Sequence, residues 1–159
     1  MRKFLFKCSM FLARHRVIYY ILNCTWGIIL TLIGWFITLA LLIVGKKPVP
    51  YHGVYYFPLR ESWGGFEMGM MFIRDTTSTE HVSQHELGHT FQNAILGPFM
   101  IFLVSLPSVF RYWYRYLKFE RKGLNPTTEY DDIWFEGSAS EIGTKVVEME
   151  QNRQKGEKQ

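Results

Sequence analysis

The sequence predicts a mainly α chain of α+β type, in which an N-terminal transmembrane helix precedes a small domain with a β-hairpin or small sheet and one helix bearing paired histidines. Three observations carry this. Residues 17–45 contain no charged side chain, and the run from Ile28 to Val44 is almost wholly apolar. Residues 54–57 and 66–73 are short, rich in aromatic and large apolar residues, and separated by Gly64-Gly65, the pattern of two strands and a turn. Thr77-Ser78-Thr79-Glu80 reads as a capping box that opens a helix meeting no proline until Pro98.

A chain of 159 residues has room for one small domain with appendages. Its net charge of +4 is unevenly spread, because Arg2, Lys3, Lys7, Arg14 and Arg16 precede every acidic residue. Beyond Gly45 the remaining 13 Lys and Arg meet 14 Asp and Glu, a near balance that argues against nucleic acid as a partner of the main domain. Cys8 and Cys24 both lie in or before the apolar run, so neither a disulfide framework nor a cysteine metal site is expected in that domain.

Taken in order, residues 1–16 form a basic arm and residues 17–45 a membrane anchor. A helix needs about 20 apolar residues to cross a hydrocarbon core of roughly 30 Å, and this run exceeds that. It is too long for the apolar region of a cleaved signal peptide, and no small-x-small cleavage site follows. Tyr19, Tyr20 and Trp26 suit an interface. Five cations precede the span and Lys46 and Lys47 follow it, which places the N-terminus in the cytoplasm and the rest on the outer face. Pro48-Val49-Pro50 reads as a stiff linker. The strand at 66–73 either offers a free edge to an extended substrate or covers the core.

On the helix that follows, residues four apart share one face, so His85 and His89 stack one turn apart and can bind one cation. Glu86 stands beside them and can reach a water on that cation, the H-E-x-x-H arrangement of zinc-dependent hydrolysis. Gly88, a poor helix former, implies that another element approaches the helix closely there. His81, one turn earlier on the same face, can add to the site, orient a ligand or simply be solvated. Gln92 reads as an orienting or packing residue.

With Gln92 beyond it, His85-Glu86-Leu87-Gly88-His89-Thr90 resembles the active-site helix of the zincin metallopeptidases. Downstream, Glu136-Gly137-Ser138-Ala139 is similar to the third-ligand helix of the gluzincin branch. The resemblance implies a zincin-like metallopeptidase domain over residues 46–150. It assigns His85, His89 and Glu136 as zinc ligands and Glu86 as general base. The extension that marks metzincins is absent, since Gln92 is followed by no third histidine in register. Glu136, Ala139, Ser140 and Gly143 recur at i, i+3, i+4 and i+7, a face slim enough to approach Gly88, whereas Glu141 points away from it. The helix that carries them starts at Thr128 or Asp131. Tyr130 is a candidate to polarise a carbonyl oxygen, and Asp131 and Asp132 are candidates to orient ligands.

Residues 93–110 are uncharged and are followed by Arg111, Arg115, Lys118, Arg121 and Lys122, so hydropathy alone accepts a second span. Eighteen helical residues rise about 27 Å, which would part His89 from Glu136 across a bilayer. Ligands to one zinc lie about 2 Å from it. Pro98 and Pro107 break a straight helix, so an interfacial or re-entrant segment is expected. Residues 151–159 read as a disordered tail. The sequence thus points to a membrane-anchored zinc metallopeptidase whose partners are the lipid bilayer and peptide or protein substrates near it. A site-2-like intramembrane protease and a non-enzymatic two-span membrane protein are the alternatives.

Overall fold

The computed structural model describes residues 1–60, 64–124 and 130–156. Among the described residues, six α-helices and a four-stranded sheet make a mainly helical α+β fold. In chain order the helices are α1 (Arg2–Arg14), α2 (Arg16–Cys24), α3 (Ile28–Ile43), α4 (Glu80–Leu96), α5 (Leu106–Lys118) and α6 (Trp134–Gly156). The strands are β1 (Val49–Tyr51), β2 (Val54–Pro58), β3 (Gly65–Met68) and β4 (Met71–Arg74).

The sheet runs β1-β2-β4-β3, with β2 and β4 parallel and the outer pairs antiparallel. Two strand expectations change. The single strand at 66–73 is a hairpin that turns at Gly69, where φ is +73°, and pairs Phe66 with Ile73. The linker at 48–50 is drawn into β1, because Val49 and Tyr51 pair with Tyr56 and Val54. Alternation divides the sheet's faces: Phe57, Met68 and Met71 pack with Ile37 and Leu41 of α3, while Val54 and Phe72 join Leu87, Phe91 and Ala94 of α4.

The uncharged run at 17–45 is not one helix. Among the described residues no single helix is long and apolar enough to cross a membrane, and α2 and α3, which pass that test only together, are bent by 86°. The bend is held by polar groups inside the run. Asn93 of α4 donates to Asn23 Oδ1 at 2.7 Å and to the Gly27 carbonyl at 3.2 Å, and Thr31 donates to the Asn23 carbonyl at 2.9 Å. Asn23 Oδ1, the Asn23 and Gly27 carbonyls, the Asn93 amide and the Thr31 hydroxyl thus find partners away from water that a straight helix would not bring together. α2 is therefore part of the core, with Tyr19 fully buried on Phe91 and donating to Thr90 Oγ1 at 2.8 Å.

Residues 1–16, expected as an arm beyond a membrane, form α1 and open α2. Leu5, Leu12 and Ala13 of α1 share the main core with Ile142, Val146 and Val147 of α6 and with α4. The N-terminal helix thus packs directly against the histidine helix. Residues 151–156, expected to be disordered, extend α6, and residues 157–159 fall outside the described residues.

α4 starts at Glu80, with Thr79 at the N-cap making no side-chain cap bond, so the capping box opened by Thr77 does not form. Thr77 instead donates through its N–H and hydroxyl to Asp75 Oδ1, and Glu80 accepts from the Tyr51 hydroxyl at 2.6 Å. α4 and α6 run antiparallel at backbone contact. A Cβ built on Gly88 would lie 1.9 Å from the Ala139 carbonyl oxygen, and one on Gly143 would lie 1.6 Å from that of Gln84. Between these helices the chain passes through a π-helical turn (Ile101–Ser105) into α5.

Two predictions follow from these contacts. Gly143→Ala should lower stability in a denaturant titration by about 1–3 kcal/mol, the usual cost of forcing a group into a packed interface. Glu150 of α6 accepts from Arg16 of α2 and pairs with His52 Nδ1 at 2.5 Å. Burial pushes its carboxyl up, but the bonds to His52 and Arg16 outweigh that and bring it down from 4.5 to about 2. A depressed pKa stabilises the fold above about 4.5 and loses that contribution as pH falls toward 2. Glu150→Ala should thus cost about 1.5–3 kcal/mol at neutral pH, with the gap to wild type narrowing in melts taken below pH 4.5.

Candidate metal centre

His85 and His89 project from α4 toward Glu136 on α6, and the three meet in a near-equilateral triangle. His85 Nε2 and His89 Nε2 are 3.1 Å apart, and each lies 3.1 Å from Glu136 Oε2. Four ligands at about 2.0–2.1 Å from a tetrahedral zinc stand about 3.3–3.4 Å from one another, so the triangle matches one face of such a site. The His85-His89-Glu136 group is one that could hold a metal ion.

Hydrogen bonds behind the rings fix which nitrogen faces the cluster. Gln92 Nε2 donates at 2.8 Å to both the Phe135 carbonyl and Ser138 Oγ, which turns its Oε1 to His89 Nδ1 at 2.8 Å. An amide oxygen only accepts, so His89 carries its proton on Nδ1. Ser140 donates to Asp131 Oδ2 at 2.9 Å and so accepts a hydrogen bond from the His85 Nδ1–H at 2.8 Å. Both Nε2 lone pairs then converge on one point together with a carboxylate oxygen. Three lone pairs at 3.1 Å repel unless a proton or a metal cation lies among them.

Glu136 is fully buried, and its second oxygen, Oε1, has no hydrogen-bond partner among the described residues. Burial pushes this carboxyl up, yet the bonds from His85 and His89 outweigh it and hold the group ionised. His89 responds in the opposite sense: burial lowers its pKa, while Glu136, Glu86 and Glu67 together raise it to about 9. A buried, ionised carboxylate between two imidazoles, with an oxygen to spare, suits a divalent cation.

Glu86 is buried under the edge of the sheet, where a Cβ on Gly65 would come within 2.5 Å of its Oε1. Burial raises its pKa against the pull of His85 and His89, and Glu136 raises it further. Above the cluster opens a cleft of about 440 Å³, lined by Gly65, Phe66 and Glu67 of β3, by the α4 face and by Val104, Ser105, Ser108, Tyr112 and Arg115. β3 is one of the two outer strands of the sheet, and its residues Gly65, Phe66 and Glu67 line this cleft.

Protein-family models, curated proteins and solved structures gave no match to this chain. The functional case therefore rests on the residues.

The expected ligands and base come together in one place, and Gln92 orients His89. His81 does not reach the triangle: it is exposed at the cleft mouth, 3.8 Å from Asp131. Tyr130 opens a 3-10 turn (Tyr130–Asp132), and its side chain lies outside the described residues, as does Thr128. The helix carrying Glu136 begins at Trp134, and Glu141 points away to pair with Arg2 at 2.9 Å. Two roles were missed in the sequence. Ser140 was read only as a small residue. Glu67, buried in the cleft, is held by the Gly69 N–H, and burial, resisted by His89, raises its pKa well above the usual range. Its signal is a single carboxylate among the apolar residues 66–73.

Gln92→Leu removes the acceptor that fixes the His89 tautomer. Zinc affinity, measured by competition with a chromophoric chelator, should fall about 10–100-fold, and Ser140→Ala should have a similar effect through His85.

Proposed function

We propose that this protein is a zinc-dependent metallopeptidase, gluzincin-like in its ligand set and held at a membrane by its apolar helices. The single observation that carries the reading is the triangle itself, two imidazoles locked with Nε2 inward and a buried carboxylate 3.1 Å from each. Three protein donors without cysteine leave a fourth position open, the pattern of catalytic rather than structural zinc. Bound there, zinc lowers the pKa of a coordinated water to about 7 and polarises a carbonyl.

The chain's own residues supply the remaining chemistry. Glu86 accepts a proton from the attacking water as the C–O bond forms and delivers it to the departing amine as the C–N bond breaks. Burial raises its pKa, which makes it a stronger base than an exposed carboxylate. The unpaired edge of β3 can hold an extended peptide by main-chain pairing across the cleft. Gln92 and the Ser140–Asp131 pair keep both imidazoles in register throughout.

Metal analysis of the purified protein tests this together with turnover of a fluorogenic peptide library. His85→Ala and Glu136→Ala should lose bound zinc. Glu86→Gln should keep zinc and lose about 10²–10⁴-fold in turnover. Zinc retained at wild-type affinity by Glu136→Ala would sink the proposal.

A further inference from the structure

The fold leaves a large apolar surface uncovered, built from two segments on either side of the Trp26–Phe99 contact. In the first, α3 turns Leu30, Thr31 and Gly34 inward, yet its outward side is also apolar, with Ile29, Leu32, Ile33, Phe36, Leu39 and Ile43 all exposed. A surface helix ordinarily presents polar residues there. In the second, Phe99, Phe102, Leu106, Phe110 and Trp113 form an exposed stripe along the π-turn and α5. The two segments meet where Trp26 packs on Phe99 with ring centroids 6.2 Å apart, and where Leu30 shares a small core with Met100 and Val104. Soluble monomers rarely leave contiguous apolar surface of this extent in water.

Charge names the occupant. Lys46 and Lys47 follow α3, and the exposed Lys118 lies in the last turn of α5. Residues 26–47 and 97–118 contain no Asp or Glu. A second copy of the chain would offer this face no carboxylate, whereas an anionic bilayer offers both hydrocarbon and phosphate. Basic ends flanking an apolar body are the arrangement of a helix lying in the headgroup region.

We propose that the protein is monotopic: this face sinks into one leaflet of an anionic bilayer without crossing it, and both termini stay on the side of the metal cluster. α1 requires that placement, since it packs directly on α4 and α6. The cleft then opens beside the lipid, because Ser105, Ser108 and Tyr112 line it from the helical face opposite Phe102, Leu106 and Phe110. The docking is independent of the metal, so its test is separable from that of the hydrolase.

The full chain, tagged at both ends and freed of detergent, is floated with phosphatidylcholine vesicles with and without phosphatidylglycerol. Wild type should float with the anionic vesicles and less with neutral ones. Phe102→Asp/Phe110→Asp should bind at least about tenfold more weakly while its zinc content stays at the wild-type level. After reconstitution into sealed vesicles, external protease should remove both tags or neither from each molecule. Equal binding by the double variant, no binding by wild type, or removal of one tag alone overturns the proposal. So does a wild-type dimer that the same substitutions dissociate and that ignores vesicles.

Discussion

Everything in the site depends on how closely α4 and α6 can approach. His85 and His89 face the partner helix because they are one turn apart, but Glu136 reaches them only because two glycines remove the side chains that would hold the backbones apart. Gln84 faces Gly143 and Gly88 faces Ala139, so the contact is antiparallel and spans more than one turn of each helix. The rest of the fold braces this pair. α1 and α2 pack on its outer side, and the sheet closes against α4 from the other. The excursion through α5 leaves and re-enters without disturbing the contact, which is why an oily segment can intervene between ligands in sequence.

The cleft concentrates carboxyl groups. Glu67, Glu86 and Glu136 are all buried around the two imidazoles. Burial raises the pKa of both Glu67 and Glu86, and the neighbouring carboxyls of Glu86 and Glu136 add to it. A divalent cation among them would relieve that cost. The structure joins this polar interior to an outer skin of exposed hydrocarbon, with α5 serving both through opposite faces.

Much of the centre was legible in the sequence because short-range geometry fixes it. Four-residue spacing on a helix dictates that His85 and His89 converge, and the small residues after Glu136 announce a slim face. What escaped reading depended on distant partners. The break after Cys24 is made by Asn93, some 70 residues away, so an uncharged run looked like a continuous rod. Asn23, Thr25 and Gly27 were its only local sign. The tautomer relay through Ser140 was hidden for the same reason: nothing in Glu-Gly-Ser-Ala-Ser says which serine meets which ring. The hairpin at Gly69 was obscured because apolar residues on both sides made its two arms look like one strand.

The 86° corner between α2 and α3 also has a consequence for biogenesis. The first half of the oily run emerges from the ribosome well before the helix that receives it has been made, since Tyr19 awaits Thr90 and Asn23 awaits Asn93. Until then α2 has its apolar and polar groups without their partners, and it can finish packing only once α4 has been made.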